Sequence, residues 1–336
     1  MDLDVLFLGT AGSSPSPRRG LPATLVRRGG DRLLFDCGEG TQRQLMRSVG
    51  LVELEELFLT HFHADHVLGL PGMLKTFALR QRERELVVYG PRGLRRVYEL
   101  LAPVIGRLTF PVRLVELAEN EELDRDGYRI AAFEVDHGGP GLGYALVEDP
   151  RPGQFDPELA RKLGVRPGPD FGRLQGGDEV NGVRPEQVMG EPRRGRKVVL
   201  TGDTAPADMT RLVAFEADLL VHEATFMDEE AERAGETRHS TAAQAAELAA
   251  AASVRMLALT HISPRYAGGQ VRDEARSAFE NVIVPRDFDR VEIPFPERGD
   301  PLHVRAVRRS AEESGGGHEQ SGPHTSTESA PGVREP

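Results

Sequence analysis

The stretch "LFLTHFHADHVLGLPGML", residues 57–74, sets three histidines and an aspartate within six positions directly after an apolar run, in a chain with ten histidines among 336 residues. Three imidazoles so close together have no packing purpose and are costly to bury unpaired. The partner that suits closely spaced imidazoles and a carboxylate is a divalent metal. His61 and His63, two apart in an extended turn, can point at one ion, while Asp65 and His66, opening the next helix, face a neighbouring one. The pattern is HxHxDH.

Cys37 is the only cysteine, so no intramolecular disulfide or multi-cysteine zinc site is possible, and any metal must be held by imidazoles and carboxylates. The chain offers them in a recurring position. "FLT" runs into His61, "FEV" into Asp136 and His137, "VVLTG" into Asp203, "LLV" into His222 and Glu223, and "LALT" into His261. Five strands thereby deliver ligand-type side chains to one edge, where α/β proteins commonly place their ligands. His137 completes a set with His61 and His63, His261 a second with Asp65 and His66, and Asp203 has two oxygens with which to bridge. Positions stay open for water, as a catalytic site requires. Nitrogen and oxygen ligands without thiolate favour two Zn²⁺ per chain, with Mn²⁺ or Fe chemically open. Taken singly, His261 would more often be a hydrogen-bonded buried histidine and Asp203 a turn residue; HxHxDH tips the reading toward metal. Asp36 and Glu39, in "FDCGEGTQRQL", are expected to brace the metal loop or cap the next helix, and Cys37 to be a small buried thiol.

Strand patterns fall at 5–8, 23–27, 32–36, 57–60, 86–89, 129–135, 197–201, 218–221 and 256–260, and helical patterns at 41–48, 69–84, 93–101, 207–214 and 241–252. Mixed elements over some 300 residues predict an α/β protein with helices covering sheet. Residues 150–195 are crowded with Pro and Gly, and 310–336 lack the apolar residues to offset ordering entropy, which predicts a disordered tail. No run reaches the roughly 18–20 apolar residues of a membrane span. The start carries no basic leader, so a cytoplasmic protein is expected. A net charge of −11 argues against a nucleic-acid partner unless basic residues are gathered locally. Residues 151–197 gather them: ten Lys or Arg against seven Asp or Glu.

HxHxDH followed by distant His, Asp and His resembles the metallo-β-lactamase superfamily, and within it the ribonuclease Z family over roughly residues 3–308. "LFLGTAGSSP", "FDCGEGTQRQL", "THFHADHVLGLPGML", "YGPRGL", "LTGDT", "HEATF", "RHSTAAQAA" and "LTHIS" stand in that family's order. The early loop departs from it: "PSPRRG" keeps Pro15 and Arg19 but has Pro17 and Gly20 at Lys and Asn positions, which bears on how the scissile region or CCA end is treated. The resemblance implies a metallo-β-lactamase fold, a four-layer αβ/βα sandwich, as a catalytic domain over 1–309. It also implies a flexible arm inserted at about 150–195 that grips the tRNA elbow. The activity implied is zinc-dependent endoribonucleolytic removal of the 3′ trailer from precursor tRNA, leaving a 3′-hydroxyl on the tRNA and a 5′-phosphate on the trailer.

Asp65 can both ligate and take a proton from water, the general-base role the family assigns it. His239 in "RHST" is the candidate general acid for the leaving 3′ oxygen, with Glu223 holding its tautomer and charge; His222 is expected to be structural. Ser240 and Thr241 could cap the Ala-rich helix after them, whose N-terminus could favour a phosphate. The run "KTFALRQRER", residues 75–84, offers a further basic face. A homodimer is expected, since a second subunit could present its arm across the first subunit's site, and the apolar helix "HVLGLPGMLKTFAL" could supply an interface. Two other readings stand beside this one. A hydrolase of small phosphodiesters or other small esters would have no use for the arm, and a non-catalytic tRNA-binding protein with structural metals would not need the His239–Glu223 pair.

Overall fold

The computed structural model describes residues 1–51 and 54–307, so the tail from 310 to 336 lies outside the described residues. Residues 1–306 form one compact unit. The first sheet uses β1 (Leu3–Gly9), β2 (Ala23–Arg28), β3 (Asp31–Phe35), β4 (Glu56–Phe58), β5 (Leu86–Gly90) and β6 (Val112–Glu116). The second uses β7 (Glu122–Arg125), β8 (Tyr128–Glu134), β9 (Leu142–Glu148), β10 (Lys197–Leu200), β11 (Leu219–Glu223), β12 (Leu257–Thr260) and β13 (Val282–Ile283). The chain then returns to the first sheet with β14 (Arg290–Glu292) and β15 (Leu302–Val304), giving orders β15-β14-β1-β2-β3-β4-β5-β6 and β13-β12-β11-β10-β9-β8-β7.

The sheets face one another across an apolar layer in which Val5, Phe7, Phe35 and Phe58 meet Tyr128, Ile130, Tyr144 and Val198. Phe58 stacks between Phe35 and Tyr89, with centroids 5.0 and 4.7 Å away, and meets Tyr144 edge-on at 5.3 Å. The Tyr144 hydroxyl, which has no water to turn to, donates to the Leu59 carbonyl at 2.8 Å and so ties the sheets together beneath the metal loop. Helices α1 (Thr41–Ser48), α2 (Ala64–Val67), α3 (Gly69–Leu79) and α4 (Leu94–Ile105) belong to the first half of the chain, where Leu45, Leu70, Met73, Leu74 and Phe77 cover the outer face of the first sheet. The second sheet is covered by α7 (Asp208–Ala214), α9 (Ala242–Ala251) and α10 (Gly268–Ala275), largely through alanines. The result is the four-layer αβ/βα sandwich.

Between β9 and β10 the chain makes a separate excursion, with α5 (Pro157–Lys162) and α6 (Pro169–Gln175) around a small core of Ala160, Val165, Leu174, Val180, Val183 and Val188. α8 (Ala231–Thr237) follows β11.

Strand direction explains why ligands gather. β10, β11 and β12 run parallel, β9 is antiparallel to β10, and β8 is antiparallel to β9, so β8, β10, β11 and β12 all end at one edge. β4 brings its own C-terminal loop from the other sheet.

Some expected elements differ. The helix read over 69–84 ends at Leu79, because Gln81 takes a left-handed conformation (φ 57°) and Arg82 N bonds back to the Phe77 carbonyl. Arg82 then lies over the Phe77 and Phe110 rings, so part of the basic face is used in packing. The apolar residues of α3 that suggested an interface, Leu70, Met73, Leu74 and Phe77, are instead consumed by its own sheet. β9 escaped notice because Gly143 interrupts its pattern. A Cβ there would lie 2.2 Å from the Phe133 ring, so the glycine makes room for its cross-strand partner.

Glu148 anchors the base of the sandwich. Its carboxylate accepts from Arg196 Nε at 2.7 Å and Arg28 Nε at 2.8 Å, all three residues being buried. Burial would raise this carboxyl, but the two guanidiniums hold it below its ordinary value. Removing one member of a buried cluster strands the others, so Glu148→Ala should cost about 3 kcal/mol in chemical denaturation. Arg113→Ala, which breaks an exposed pair with Glu85, should cost less than about 1 kcal/mol.

Candidate active site

Asp203 is the centre of the edge. Its Oδ2, almost wholly buried, lies 3.7 Å from His61 Nε2, 3.4 Å from His66 Nε2, 3.8 Å from His137 Nε2 and 3.3 Å from His261 Nε2. Ligand atoms of His61, His63, His137 and Asp203 lie within 4.8 Å of one another, as do those of Asp65, His66 and His261. The structure thus brings together the residues read from the strand ends, with Asp203 also 3.4 and 3.3 Å from His66 and His261 of the second group. Asp65 Oδ2 completes the inner face at 3.2 Å from His261 Nε2 and 3.6 Å from His66 Nε2. His63 Nδ1 is 3.1 Å from His137 Nε2.

The outward nitrogens explain which atoms face inward. Asp36 accepts from His66 Nδ1 at 2.8 Å and from the Thr60 hydroxyl at 3.0 Å, so that hydroxyl is left to accept from His61 Nδ1, 3.0 Å away. The Arg238 carbonyl accepts from His137 Nδ1 at 2.9 Å. Thr225 donates its hydroxyl to Glu223 and accepts from His261 Nδ1 at 2.8 Å. Each of the four rings is thereby anchored through Nδ1 with Nε2 turned toward Asp203, the arrangement in which backing hydrogen bonds orient metal ligands. Burial drives His61 down to about 2, keeping it neutral. Burial would raise Asp203, but the surrounding imidazoles, His261 foremost, hold it well below the usual carboxylate range. His61 Nε2 and His66 Nε2 are buried with no hydrogen-bond partner. Buried ring nitrogens without a hydrogen-bond partner, set around a carboxylate held ionised, fit divalent metal.

The backbone closes round this cluster at glycines. A Cβ on Gly12 would lie 2.5 Å from His261 Nδ1, and one on Gly69 would lie 1.9 Å from the Gly38 carbonyl. Cys37 N donates to the His66 carbonyl and Gly69 N to the Cys37 carbonyl, both at 2.8 Å, so the Asp36–Gly38 turn clasps the metal loop. Asp36 thus braces as expected. Glu39 does not: it is exposed, and Gly40 occupies the helix N-cap without a side-chain cap. In the early loop Ser13 N donates to Asp65 Oδ2 at 2.8 Å, while Arg19 turns inward to Thr10 and the Pro285 carbonyl.

His239 lies beside the cluster with Nδ1 2.8 Å from Glu223 Oε1 and 4.0 Å from Asp203 Oδ2. Burial would lower this imidazole, but the Glu223 bond and charge hold it above its ordinary value. Glu223 is also held by Thr204 N at 2.7 Å. His222 points elsewhere, Nδ1 bonding the Glu223 carbonyl, and takes no part. Thr241 caps α9 by accepting from Gln244 N, whereas Ser240 donates to the Thr204 carbonyl. Of the two readings of this N-terminus, capping alone or a phosphate site as well, the structure favours capping alone. The amides of Thr241, Ala242, Ala243 and Gln244 are all taken, by Gln244, Phe226, Glu274 and Thr241. Thr60, Thr225 and Arg238 were not picked out from the sequence. Each lies within two positions of a residue that was, yet nothing in residue type alone marks a hydroxyl or carbonyl as a histidine's support.

An αβ/βα sandwich with imidazoles and carboxylates on the shared edge defines a metallo-β-lactamase-fold protein, and residues 18–192 match the Metallo-beta-lactamase superfamily model. Similar proteins include the ribonuclease Z of Natronomonas pharaonis, 49% identical over 88% of this chain and 100% of that one. The ribonuclease Z of Methanosarcina acetivorans is 45% identical over 87% and 99%. The crystal structure of human tRNase Z, short form, superposes with a TM-score of 0.61 at 31% identity, covering 87% of this chain and 99% of that one. The chain belongs to the ribonuclease Z family of the metallo-β-lactamase superfamily.

Gly12→Ala should displace His261 and lower the metal content of purified protein by elemental analysis, with the circular-dichroism spectrum unchanged. Gly30→Ala, where a Cβ meets nothing within 4 Å, should leave metal content as it is.

Proposed function

We propose that this chain is a zinc-dependent endoribonuclease that removes the 3′ trailer of precursor tRNA, leaving a 3′-hydroxyl on the tRNA and a 5′-phosphate on the trailer. The observation that carries the reading is the convergence, at one edge, of seven metal-ligand side chains with a separate His–Glu proton-transfer pair. His61, His63, His137 and Asp203 would hold one Zn²⁺, and Asp65, His66, His261 and Asp203 the other. Zinc bound there supplies an acidified water and positive charge for the phosphoryl oxygens.

The chain's own groups handle the protons. The Asp65 carboxyl, which burial would raise, is held well below its usual range by the His261 bond, so it stands ionised. Ser13 N and His261 fix its Oδ2, and it takes the proton of the attacking water. His239, kept cationic by Glu223 through Nδ1, delivers the Nε2 proton to the departing 3′ oxygen. Glu223 also fixes His261 through Thr225, so one buried carboxylate orients both a ligand and the acid.

The excursion at 151–193 supplies the tRNA-binding arm in this reading. Lys162, Arg166 and Arg184 are exposed there and, among the described residues, have no ion-pair partner. A cytoplasmic location belongs to this reading and is supported by its tRNA substrate; no helix among the described residues is long and apolar enough to cross a membrane. Assembly as a homodimer is proposed as well. It is supported by Leu79, Leu100 and Val104 on α3 and α4, each more than two-thirds exposed.

With a precursor tRNA carrying a 3′ trailer, a single cut should map to the trailer junction. His239→Ala should lower kcat by about 10²–10⁴-fold at unchanged metal content. Replacing residues 154–189 by a short glycine link should abolish tRNA cleavage and spare hydrolysis of a small chromogenic phosphodiester. An intact trailer beside brisk small-ester hydrolysis by the unmodified chain would favour the small-substrate reading instead. Sedimentation velocity should return twice the chain mass, and Leu100→Glu with Val104→Glu should return one.

A further inference from the structure

The arm joins the body through two adjacent backbone segments, and two arginines at that junction converge on one short stretch between β14 and β15, while Arg194 pairs separately with Asp218. Arg151 and Arg193 pair through their backbones in both directions, at 2.7 and 2.9 Å. Beyond them Gly153 and Gly190 nearly touch, since a Cβ on Gly153 would lie 1.8 Å from the Gly190 carbonyl oxygen. The apolar core of the arm is its own and shares no residue with the sandwich cores. Packing therefore does little to fix the arm's direction, and the root must.

Both root arginines seize one carboxylate. Arg151 binds Glu297 with two parallel bonds, Nη1–Oε1 2.8 Å and Nη2–Oε2 2.9 Å, and Arg193 Nη1 adds a third to Oε1 at 3.1 Å. Arg193 Nε also donates to the Pro152 carbonyl at 3.1 Å. Two residues away, the Phe295 ring carries the Arg151 guanidinium 3.5 Å from its centroid and that of Arg196 at 4.1 Å. Arg196 is the buried partner of Glu148, so the contact continues into the core of the body. A lone exposed ion pair is worth little. A bidentate, shared carboxylate next to a ring that two guanidiniums approach is different, because it restricts orientation as well as distance.

We propose that Phe295 and Glu297 are positioning residues that clamp the root of the arm and set its bearing on the active site. The proposal rests on the reading of residues 151–193 as a tRNA-binding arm. Neither residue touches the metal ligands or the His239–Glu223 pair, so the clamp governs where the far part of the tRNA is met and leaves the chemistry alone.

The test compares Glu297→Ala, Glu297→Gln and Phe295→Ala with the unaltered chain and the arm-deleted chain, on precursor tRNA and on a small chromogenic phosphodiester. Glu297→Ala and Phe295→Ala should each raise KM for precursor tRNA about tenfold, equivalent to about 1.4 kcal/mol of binding, with kcat and small-ester hydrolysis within about twofold. Glu297→Gln, which keeps acceptor atoms but not the charge, should fall between. Limited proteolysis should cut Glu297→Ala faster between residues 151 and 193. An unchanged KM in Glu297→Ala, with tRNA cleavage lost on arm deletion, overturns the clamp and spares the arm reading. Loss of small-ester hydrolysis in all three variants overturns it too, by making the stretch part of the fold. Normal tRNA cleavage by the arm-deleted chain overturns the arm reading, and the clamp with it.

Discussion

One buried carboxylate organises this protein. Asp203 Oδ2 stands within 4 Å of imidazoles carried by both sheets, two from the loop after β4 and two from the ends of β8 and β12. An anion so buried is tolerable only among positive charge or metal. The two halves of the sandwich must therefore be held in register well enough to bring those rings to it. The aromatic layer of Phe35, Phe58, Tyr89 and Tyr144 and the Tyr144–Leu59 bond do this directly below the site.

Around that centre the polar design is economical in its use of carboxylates. Asp36 supports two histidines, one through Thr60, and Glu223 supports His261 through Thr225 and His239 directly. The proposed ligand His261 and the proposed acid His239 therefore share a support. A change at Glu223 should disturb both, which makes Glu223 a poorer probe of acid catalysis than His239 itself.

Much of the site was legible in the sequence because its ligands follow strands that read clearly, and because three histidines in six positions admit few explanations. The gathering of ligand-type side chains follows from residue type and strand ends, whereas the pairing of His239 with Glu223 came beside the family resemblance, and residue type left Asp36 open between bracing the loop and capping a helix. What escaped depended on backbone and on hydroxyls: the Arg238 carbonyl, the left-handed Arg238 and His261 (φ 55° and 56°), and the close approach at Gly12. Strands of two or three residues such as β13–β15 carry too little pattern to be seen, and Gly143 hid β9. The helix after Thr241 stayed open for another reason, since a free N-terminus and one whose amides are all engaged look the same in sequence.

In the proposed site Asp203 would serve two metal ions, with His61, His63 and His137 on one side and Asp65, His66 and His261 on the other. Anomalous diffraction from zinc-loaded crystals, recorded on either side of the zinc edge, tests it most directly. Two peaks per chain are expected, about 3.5–4 Å apart, with the Asp203 carboxylate within bonding distance of both. A single peak, or two peaks neither of which touches Asp203, would contradict it.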